Sequence, residues 1–216
     1  VLEVSSFQLE TIDAFHPHVS VWLNLSPNHL DRYRDMEEYR TAKLRIFLNQ
    51  TTDDFAVVNA RENLPSLAAR RITFSAYVAD ADFTLRDGII HYHNKPVLAQ
   101  RATKLPGVHN AENLMAAMGI GLALGLDFEK MSGAVQEYTA PVHRCEFIRE
   151  LGGVRWINDS KATNLDSVEK AILSQAGPIV LIAGGKDKGF EFDTIAPLVR
   201  ERVRQAVLIG EMKERI

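Results

Sequence analysis

The chain has 216 residues, 46% of them hydrophobic and 25% charged, which is the composition of an ordinary globular protein with one large or two small domains. Its 25 basic and 28 acidic residues give a net charge of -3 without a basic run, which argues against nucleic acid as a partner. The longest apolar run, residues 114–126, is too short and too rich in glycine to span a membrane. The single cysteine, Cys145, excludes an internal disulfide and a cysteine-based metal cluster, and it fits a reducing cytoplasm.

The first part of the chain alternates predicted strands and helices, which is typical of a mostly parallel sheet. The strands are predicted at 1–4, 18–26, 54–60 and 72–74, and the helices at 5–9, 36–48, 62–70, within 105–127, and at 128–138. Residues 81–100 alternate around Asp87-Gly88 and Asn94-Lys95, which predicts a peripheral antiparallel meander.

A domain boundary is predicted at 139–144, where Pro141 follows a break in the helical pattern. Beyond it come a hairpin around Gly152-Gly153, helices at 165–176 and 193–203, and strands at 178–183 and 206–210. We therefore predict an α/β fold, with a central, mostly parallel sheet in 1–140 and the first part of a Rossmann-like, doubly wound domain in 141–216. Because the chain opens within a strand pattern without an initiator methionine, we expect a fragment of a longer protein.

Glu3 and His29 are candidate metal ligands because each lies at the end of a predicted parallel strand, where α/β sheets collect ligands. A carboxylate near a sheet core needs a partner, although a salt bridge or a helix cap would satisfy Glu3 as well as a cation. His29 on its own is an unremarkable loop histidine. Together they form a carboxylate–imidazole pair that suits Mg²⁺ or Mn²⁺ better than zinc.

Lys43 lies on or beside the apolar stripe of its predicted helix, with Tyr39 and Phe47 four residues away on either side. Two interpretations are open. The stem packs while the ammonium reaches water, or the amine is desolvated, has a lowered pKa and reacts with carbon dioxide to give a metal-binding carbamate.

The loop NDSKATN, residues 158–164, follows a predicted strand and opens a helix. Its candidate contacts for a phosphate or a carboxylate are Asp159, Ser160, Lys161 and Thr163. Capping by Thr163, Asn164 or Asp166 is the alternative, but it needs only one of these residues.

A second loop, GGKDKGF at 184–190, has glycines that let backbone amides approach an anion. It is not a Walker A loop, and no G-x-x-x-x-G-K-[ST] occurs in the chain, so a triphosphate cradle would have to lie outside it.

Three polar residues, His109, Asn110 and Asn113, cluster at the start of the predicted core helix. One is expected to cap the helix, and the others can read a base edge through paired donors and acceptors. Arg144, at the boundary, is placed to touch a phosphate or the facing domain, although a surface arginine fits equally well.

Six segments in this order resemble the Mur ligase family: EVSSFQLE, NHLDRY followed by a helical lysine, LPGVHNAENLMAA, HRCE, INDSKATN and GGKDKGF. They run from Glu3 to Phe190, nearly the whole chain. SSFQLE and NDSKATN resemble the members that add D-glutamate, whereas sibling ligases and folylpolyglutamate synthetases differ at both places. One departure is Asn28, where the family commonly has an acidic residue.

The resemblance implies a three-domain enzyme, of which this chain holds most of the central ATPase domain and the first part of the C-terminal domain. It implies a monomeric, cytoplasmic ligase that uses ATP and Mg²⁺ to join D-glutamate to UDP-N-acetylmuramoyl-L-alanine through an acyl phosphate, in peptidoglycan synthesis. Domain closure about residues 139–144 would bring the reactants together.

Site residues follow from motif position. The resemblance implies metal ligation by Glu3, His29 and Lys43 as a carbamate, and catalytic roles for Lys43, His29 and Lys161. It implies substrate contacts at Ser5, Gln8, Thr163 and Lys188, and ATP contacts at Asn110, Asn113, Arg144 and Asp159. Two alternatives remain, namely a non-catalytic binding module and a sibling ligase for another amino acid.

Overall fold

The computed structural model describes residues 1–27, 32–187 and 189–216. The chain divides into two compact units, residues 1–139 and 140–216. Within the described part, no helix is long and apolar enough to cross a membrane.

A six-stranded sheet organises the first unit, and its strands lie side by side in chain order. They are β1 (Val19–Trp22), β2 (Phe55–Asn59), β3 (Arg70–Ser75), β4 (Phe83–Arg86), β5 (Ile89–Tyr92) and β6 (Lys95–Ala99). The strands β1 to β4 run parallel, whereas β5 and β6 continue from β4 as an antiparallel meander. The predicted mostly parallel sheet with a small meander is confirmed.

The parallel part of the sheet is buried on both faces. Successive side chains of a strand point to opposite faces, so one strand contributes to two apolar clusters. Val57 of β2 belongs to one apolar cluster with Met115 and Met118, whereas its neighbours Ala56 and Val58 belong to another. The helices of this unit are α1 (Ser6–Glu10), α2 (Met36–Leu44), α3 (Val108–Ala123) and α4 (Phe128–Glu137).

The second unit begins with a hairpin and continues as a β-α-β crossover. Its elements are β7 (Glu146–Leu151), β8 (Val154–Asn158), α5 (Leu165–Leu173), β9 (Ile179–Gly184), α6 (Ala196–Arg202) and β10 (Val203–Ile209). β9 and β10 pair in parallel, as strands of a doubly wound domain do. The hairpin turns through Gly152 and Gly153, whose positive φ angles of 59° and 75° favour glycine.

Two predicted elements are wrong. Residues 1–4 form no strand in the described part of the chain, and Val1 and Leu2 are exposed rather than buried. No helix forms at 62–70, because Pro65 lacks an amide hydrogen and disfavours the helical conformation of the residue before it.

Candidate functional site

Helix α1 begins with a capping box formed by two predicted substrate contacts. Ser5 Oγ accepts a hydrogen bond from the Gln8 amide at 3.3 Å, and Gln8 Oε1 accepts one from the Ser5 amide at 2.9 Å. The pair satisfies amides that the start of a helix leaves without partners. The predicted helix start is therefore confirmed, and Ser5 and Gln8 each have a local structural role. Glu3 lies just before the cap and is exposed.

Lys43 lies one residue before the end of α2 and is half-buried, with its Nζ 5.2 Å from the centroid of the Tyr39 ring. Burial lowers the pKa of Lys43, and the negative charge of Glu3 acts in the opposite direction. Which of the two interpretations of Lys43 applies stays a prediction. Two of the three predicted metal ligands, Glu3 and Lys43, thus lie within electrostatic range of each other.

A polar network that no sequence pattern predicts joins the end of α1 to the segment before α2. Glu10 Oε1 accepts a hydrogen bond from the Tyr33 hydroxyl at 2.5 Å, and Glu10 Oε2 accepts one from Arg32 at 2.8 Å. The bond from Arg32, followed by that from Tyr33, lowers the pKa of Glu10. Because Arg32 and Tyr33 lie 22 and 23 positions after Glu10 in the chain, no local periodicity could have linked them to it.

Arg45 makes a second connection between these elements from the turn that follows α2. Its Nε donates to the carbonyl of Leu9 and its Nη2 to the carbonyl of Ile12, each at 2.8 Å. Leu9 lies in the last turn of α1, and Ile12 directly follows its C-cap, Thr11. The segment that carries Ser5 and Gln8 is therefore fixed to the segment that carries Lys43.

Two predicted site residues, His29 and Lys188, lie outside the described residues. Among the residues that the structure describes, no group of three or more His, Cys, Asp or Glu side chains could hold a metal ion. The donor chemistry of Glu3 and Lys43 fits a hard divalent cation only if Lys43 carries a carbamate, since an ammonium repels a cation.

The start of α3 lies at the carboxyl ends of the parallel strands. Glu112 Oε1 accepts a hydrogen bond from the amide of Ala76, just after β3, at 3.3 Å, and its Oε2 lies 3.6 Å from Arg61 Nη2, just after β2. Asn110 and Asn113, the predicted ATP contacts on α3, therefore belong to the sheet edge where α/β proteins bind ligands.

The predicted side-chain cap of α3 is wrong. Gly107 occupies the N-cap position with a φ of 92°, and no side chain caps the helix there. Asn110 instead turns back, and its Nδ2 donates to the carbonyl of Pro106 at 2.7 Å.

In the second unit, the loop after β8 is bonded to the segment that contains Arg144. Asp159 Oδ1 accepts a hydrogen bond from the Cys145 amide at 3.0 Å, and the Lys161 amide donates to the carbonyl of His143 at 3.1 Å. The structure thus brings together the loops that contain Arg144, Asp159 and Lys161.

Asn164 provides the side-chain cap of α5, accepting a hydrogen bond from the Ser167 amide at 2.8 Å. Lys161 and Thr163, which precede it, are exposed. Of the residues considered as caps from the sequence, the structure therefore selects Asn164, and capping requires neither Lys161 nor Thr163.

The glycine loop follows β9. At Gly184, whose φ is 151°, an added Cβ would lie 1.8 Å from the carbonyl oxygen of Ile209, so the close approach of β10 requires glycine there. Asp187 organises the loop by accepting hydrogen bonds from the Gly189 amide and from Arg215, each at 2.8 Å.

Comparison with known families gives two matches that together span most of the chain. Residues 1–121 match the Mur ligase middle domain, and residues 143–216 match the Mur ligase, glutamate ligase domain.

Comparison with individual proteins also finds Mur ligases. The chain is 48% identical over 225 residues to the UDP-N-acetylmuramoylalanine–D-glutamate ligase of Pelobacter propionicus, covering 100% of this chain and 50% of that protein. A crystal structure of MurF from Acinetobacter baumannii is similar with a TM-score of 0.72 and 19% identity, covering 90% of this chain and 47% of that one. MurF of Thermotoga maritima, in complex with ADP, gives a TM-score of 0.68 at 15% identity, covering 96% of this chain and 56% of that one. At these identities the two structures show the fold alone, and the chain spans about half the length of the curated relatives it matches.

Proposed function

Because the chain belongs to the Mur ligase family, we propose that it is part of an ATP-dependent ligase that adds D-glutamate to UDP-N-acetylmuramoyl-L-alanine. The observation that carries this proposal is the 48% identity, across the whole chain, to a relative with that activity in its name. The segments SSFQLE and NDSKATN support the same choice among the family's members.

In this proposal residues 1–140 belong to the central ATP-binding domain and residues 141–216 to the C-terminal domain of a monomeric, cytoplasmic enzyme of peptidoglycan synthesis. The ADP complex of a similar Mur ligase supports ATP as the co-substrate. We expect the 216 residues alone to be inactive, since the chain contains no Walker A motif.

The proposed metal site consists of Glu3, His29 and Lys43, the last as a carbamate. The amine nitrogen of Lys43 would attack the carbon of CO₂ and lose a proton, which gives a long carboxylate. The burial of Lys43, which lowers the pKa of its amine, supports a desolvated amine. Mg²⁺, when bound there, would supply positive charge to the transferring phosphoryl group.

On the nucleotide side, Asn110 and Asn113 would contact the adenine, with Arg144 and Asp159 at the ribose and phosphates. Ser5 and Gln8 would contact the muramoyl substrate. Lys161, Thr163 and Lys188 would face phosphate or the incoming D-glutamate.

The proposed reaction has two steps, because the alanyl carboxylate is a poor electrophile until it is phosphorylated. An oxygen of the alanyl carboxylate attacks the γ-phosphorus of ATP, whose bond to the bridging oxygen breaks and releases ADP. The amine of D-glutamate then attacks the acyl carbon, loses a proton, and the tetrahedral intermediate expels phosphate. Lys161 and Arg144 would stabilise the negative charge that accumulates on the phosphoryl oxygens, because such transfers depend on positioning and charge neutralisation.

The experiment is a panel of amino acids offered to the full-length protein that contains this chain. With ATP and UDP-N-acetylmuramoyl-L-alanine present, phosphate release should depend on D-glutamate and should not occur with L-glutamate, L-lysine or diaminopimelate. Release driven by another amino acid would assign the protein to a sibling activity, and ATP hydrolysis by the 216 residues alone would contradict their expected inactivity.

A further inference from the structure

Arg45 is a half-buried arginine to which neither the family resemblance nor the proposed reaction gives a role. It begins the short 3-10 turn Arg45–Phe47, which follows α2 directly, and it stands two residues after Lys43. Its guanidinium donates to two carbonyls, that of Leu9 in the last turn of α1 and that of Ile12 two residues after the end of α1, each at 2.8 Å.

Helix α1 depends on such external contacts. It has only five residues, and a helix of one to two turns is not stable by itself in water. The Leu9 carbonyl also accepts the amide hydrogens of Thr11 and Ile12, and the carbonyls at the C-terminal end of a helix carry partial negative charge, so a cation that donates there is favourable. A planar guanidinium holds two carbonyls at once with little further loss of side-chain freedom, whereas a lysine ammonium is a flexible point charge.

The bonds from Arg45 affect the distance between the proposed substrate contacts on α1 and Lys43 on α2. Ser5 and Gln8 form the N-terminal capping box of α1, and Glu3 lies just before it. Lys43 lies in the last turn of α2. Arg45 therefore connects the two elements from which the proposed substrate and metal contacts extend, and any shift of α1 changes their separation.

We propose that Arg45 is a positioning residue, which fixes α1 and its substrate contacts Ser5 and Gln8 relative to Lys43. This inference rests on the proposed ligase function. It concerns the site of the muramoyl substrate and not that of ATP, since Arg45 bonds to Leu9 and Ile12, whereas Asn110 and Asn113 lie on α3.

The test is Arg45→Lys in the full-length protein, with Arg40→Lys as its matched control. Arg40 lies on α2, directly before the turn that contains Arg45, and it also donates from its guanidinium to a backbone carbonyl, that of Asn63. The segment that it holds carries no proposed site residue.

For Arg45→Lys we expect the KM for UDP-N-acetylmuramoyl-L-alanine to rise about tenfold while the KM for ATP stays within about twofold, because only one substrate's contacts are displaced. Amide hydrogen exchange, measured without substrates or metal, should accelerate in residues 6–12 and remain unchanged in α3. Arg40→Lys should leave both KM values and the exchange of residues 6–12 unchanged. Added guanidinium ion should partly restore the KM of Arg45→Ala.

Three results would overturn the proposal. They are equal rises of both KM values, an unchanged KM for the muramoyl substrate despite faster exchange in α1, and the same KM change in Arg40→Lys. Failure of the proposed function itself is distinguishable, because the unsubstituted protein would then show no D-glutamate-dependent phosphate release at all.

Discussion

The amine nitrogen of Lys43 lies over the ring of Tyr39, 5.2 Å from its centroid and one helical turn away. Tyr39 is itself buried in a cluster with Tyr33 and Ala42, so the surface beneath the lysine is apolar. Burial lowers the pKa of Lys43, which increases the fraction of neutral amine near physiological pH.

The first prediction concerns the carbamate on this lysine. In the full-length protein, Lys43→Ala should lower kcat at least about a hundredfold, because it removes a ligand of the ion that neutralises phosphoryl charge. Formate or acetate should partly restore kcat by replacing the lost carboxylate, and Lys43→Arg should not be restored because its side chain fills the space. Unchanged activity in Lys43→Ala would show that the lysine only packs against Tyr39.

The second prediction concerns acid stability at the opposite, amino end of β1 and β2. Asp54 accepts short contacts from His16 Nε2 at 2.6 Å and from the Thr51 amide at 2.7 Å, and a longer one from His18 Nδ1 at 3.1 Å. These partners, His16 first and the Thr51 amide second, hold the pKa of Asp54 far below its usual range.

A lowered folded-state pKa stabilises the fold above the pKa of unfolded aspartate, about 3.9, and the stabilisation is lost as the pH falls from there towards the folded-state pKa. Asp54→Asn should therefore lower the urea midpoint near neutral pH, and the difference from the unsubstituted chain should shrink below about pH 4. The exposed neighbour Asp53 supplies the control Asp53→Asn, which should change little. A difference that persists at low pH would contradict an ionic origin.

The third prediction concerns three helical glycines. At Gly119 an added Cβ would lie 2.9 Å from Val57 Cγ1, and at Gly121 it would lie 2.1 Å from Met131 Sδ. Valine in a strand cannot move aside, whereas methionine can, so Gly119→Ala should destabilise by about 1–3 kcal/mol and Gly121→Ala by less. At Gly133 nothing lies within 4 Å, so Gly133→Ala should stabilise by about 0.5–1 kcal/mol through helix propensity. Urea unfolding measures all three, and the reverse order of Gly119 and Gly121 would contradict the account.

The fourth prediction separates capping from ligand contact in the loop at 158–164. Asn164→Ala should cost about 1 kcal/mol of stability through loss of the α5 cap while kcat stays near that of the unsubstituted protein. Asn164→Asp should retain most of the stability. Lys161→Ala should do the opposite, lowering kcat with little change in the melting temperature. If Asn164→Ala abolished activity in the folded protein, the loop's division into a cap and ligand contacts would be wrong.

The sequence predicted those parts of the fold that local patterns specify. The alternation around Asp87-Gly88 and Asn94-Lys95 predicted the meander because the turn residues fix its register, and Asp87 and Asn94 adopt the positive φ that such turns need. The cap at Ser5 could be read from the spacing of Ser5 and Gln8.

The structural features that could not be predicted from the sequence depend on contacts between distant segments or on competing local preferences. The bonds from Arg45 to Leu9 and Ile12 join residues more than thirty positions apart and leave no periodic signal. Apolar composition at Val1 and Leu2 predicted burial, but burial also needs a neighbouring segment. The roles assigned to His29 and Lys188 stay predictions, since both lie outside the described residues.

The most direct test of the proposed ligase follows oxygen from the substrate to the product. The full-length protein would be given ATP, D-glutamate and UDP-N-acetylmuramoyl-L-alanine labelled with oxygen-18 in its alanyl carboxylate. We predict that phosphate is released only with D-glutamate and carries one labelled oxygen, because the acyl phosphate transfers that oxygen when the amide forms. Unlabelled phosphate, or phosphate release independent of D-glutamate, would contradict the account.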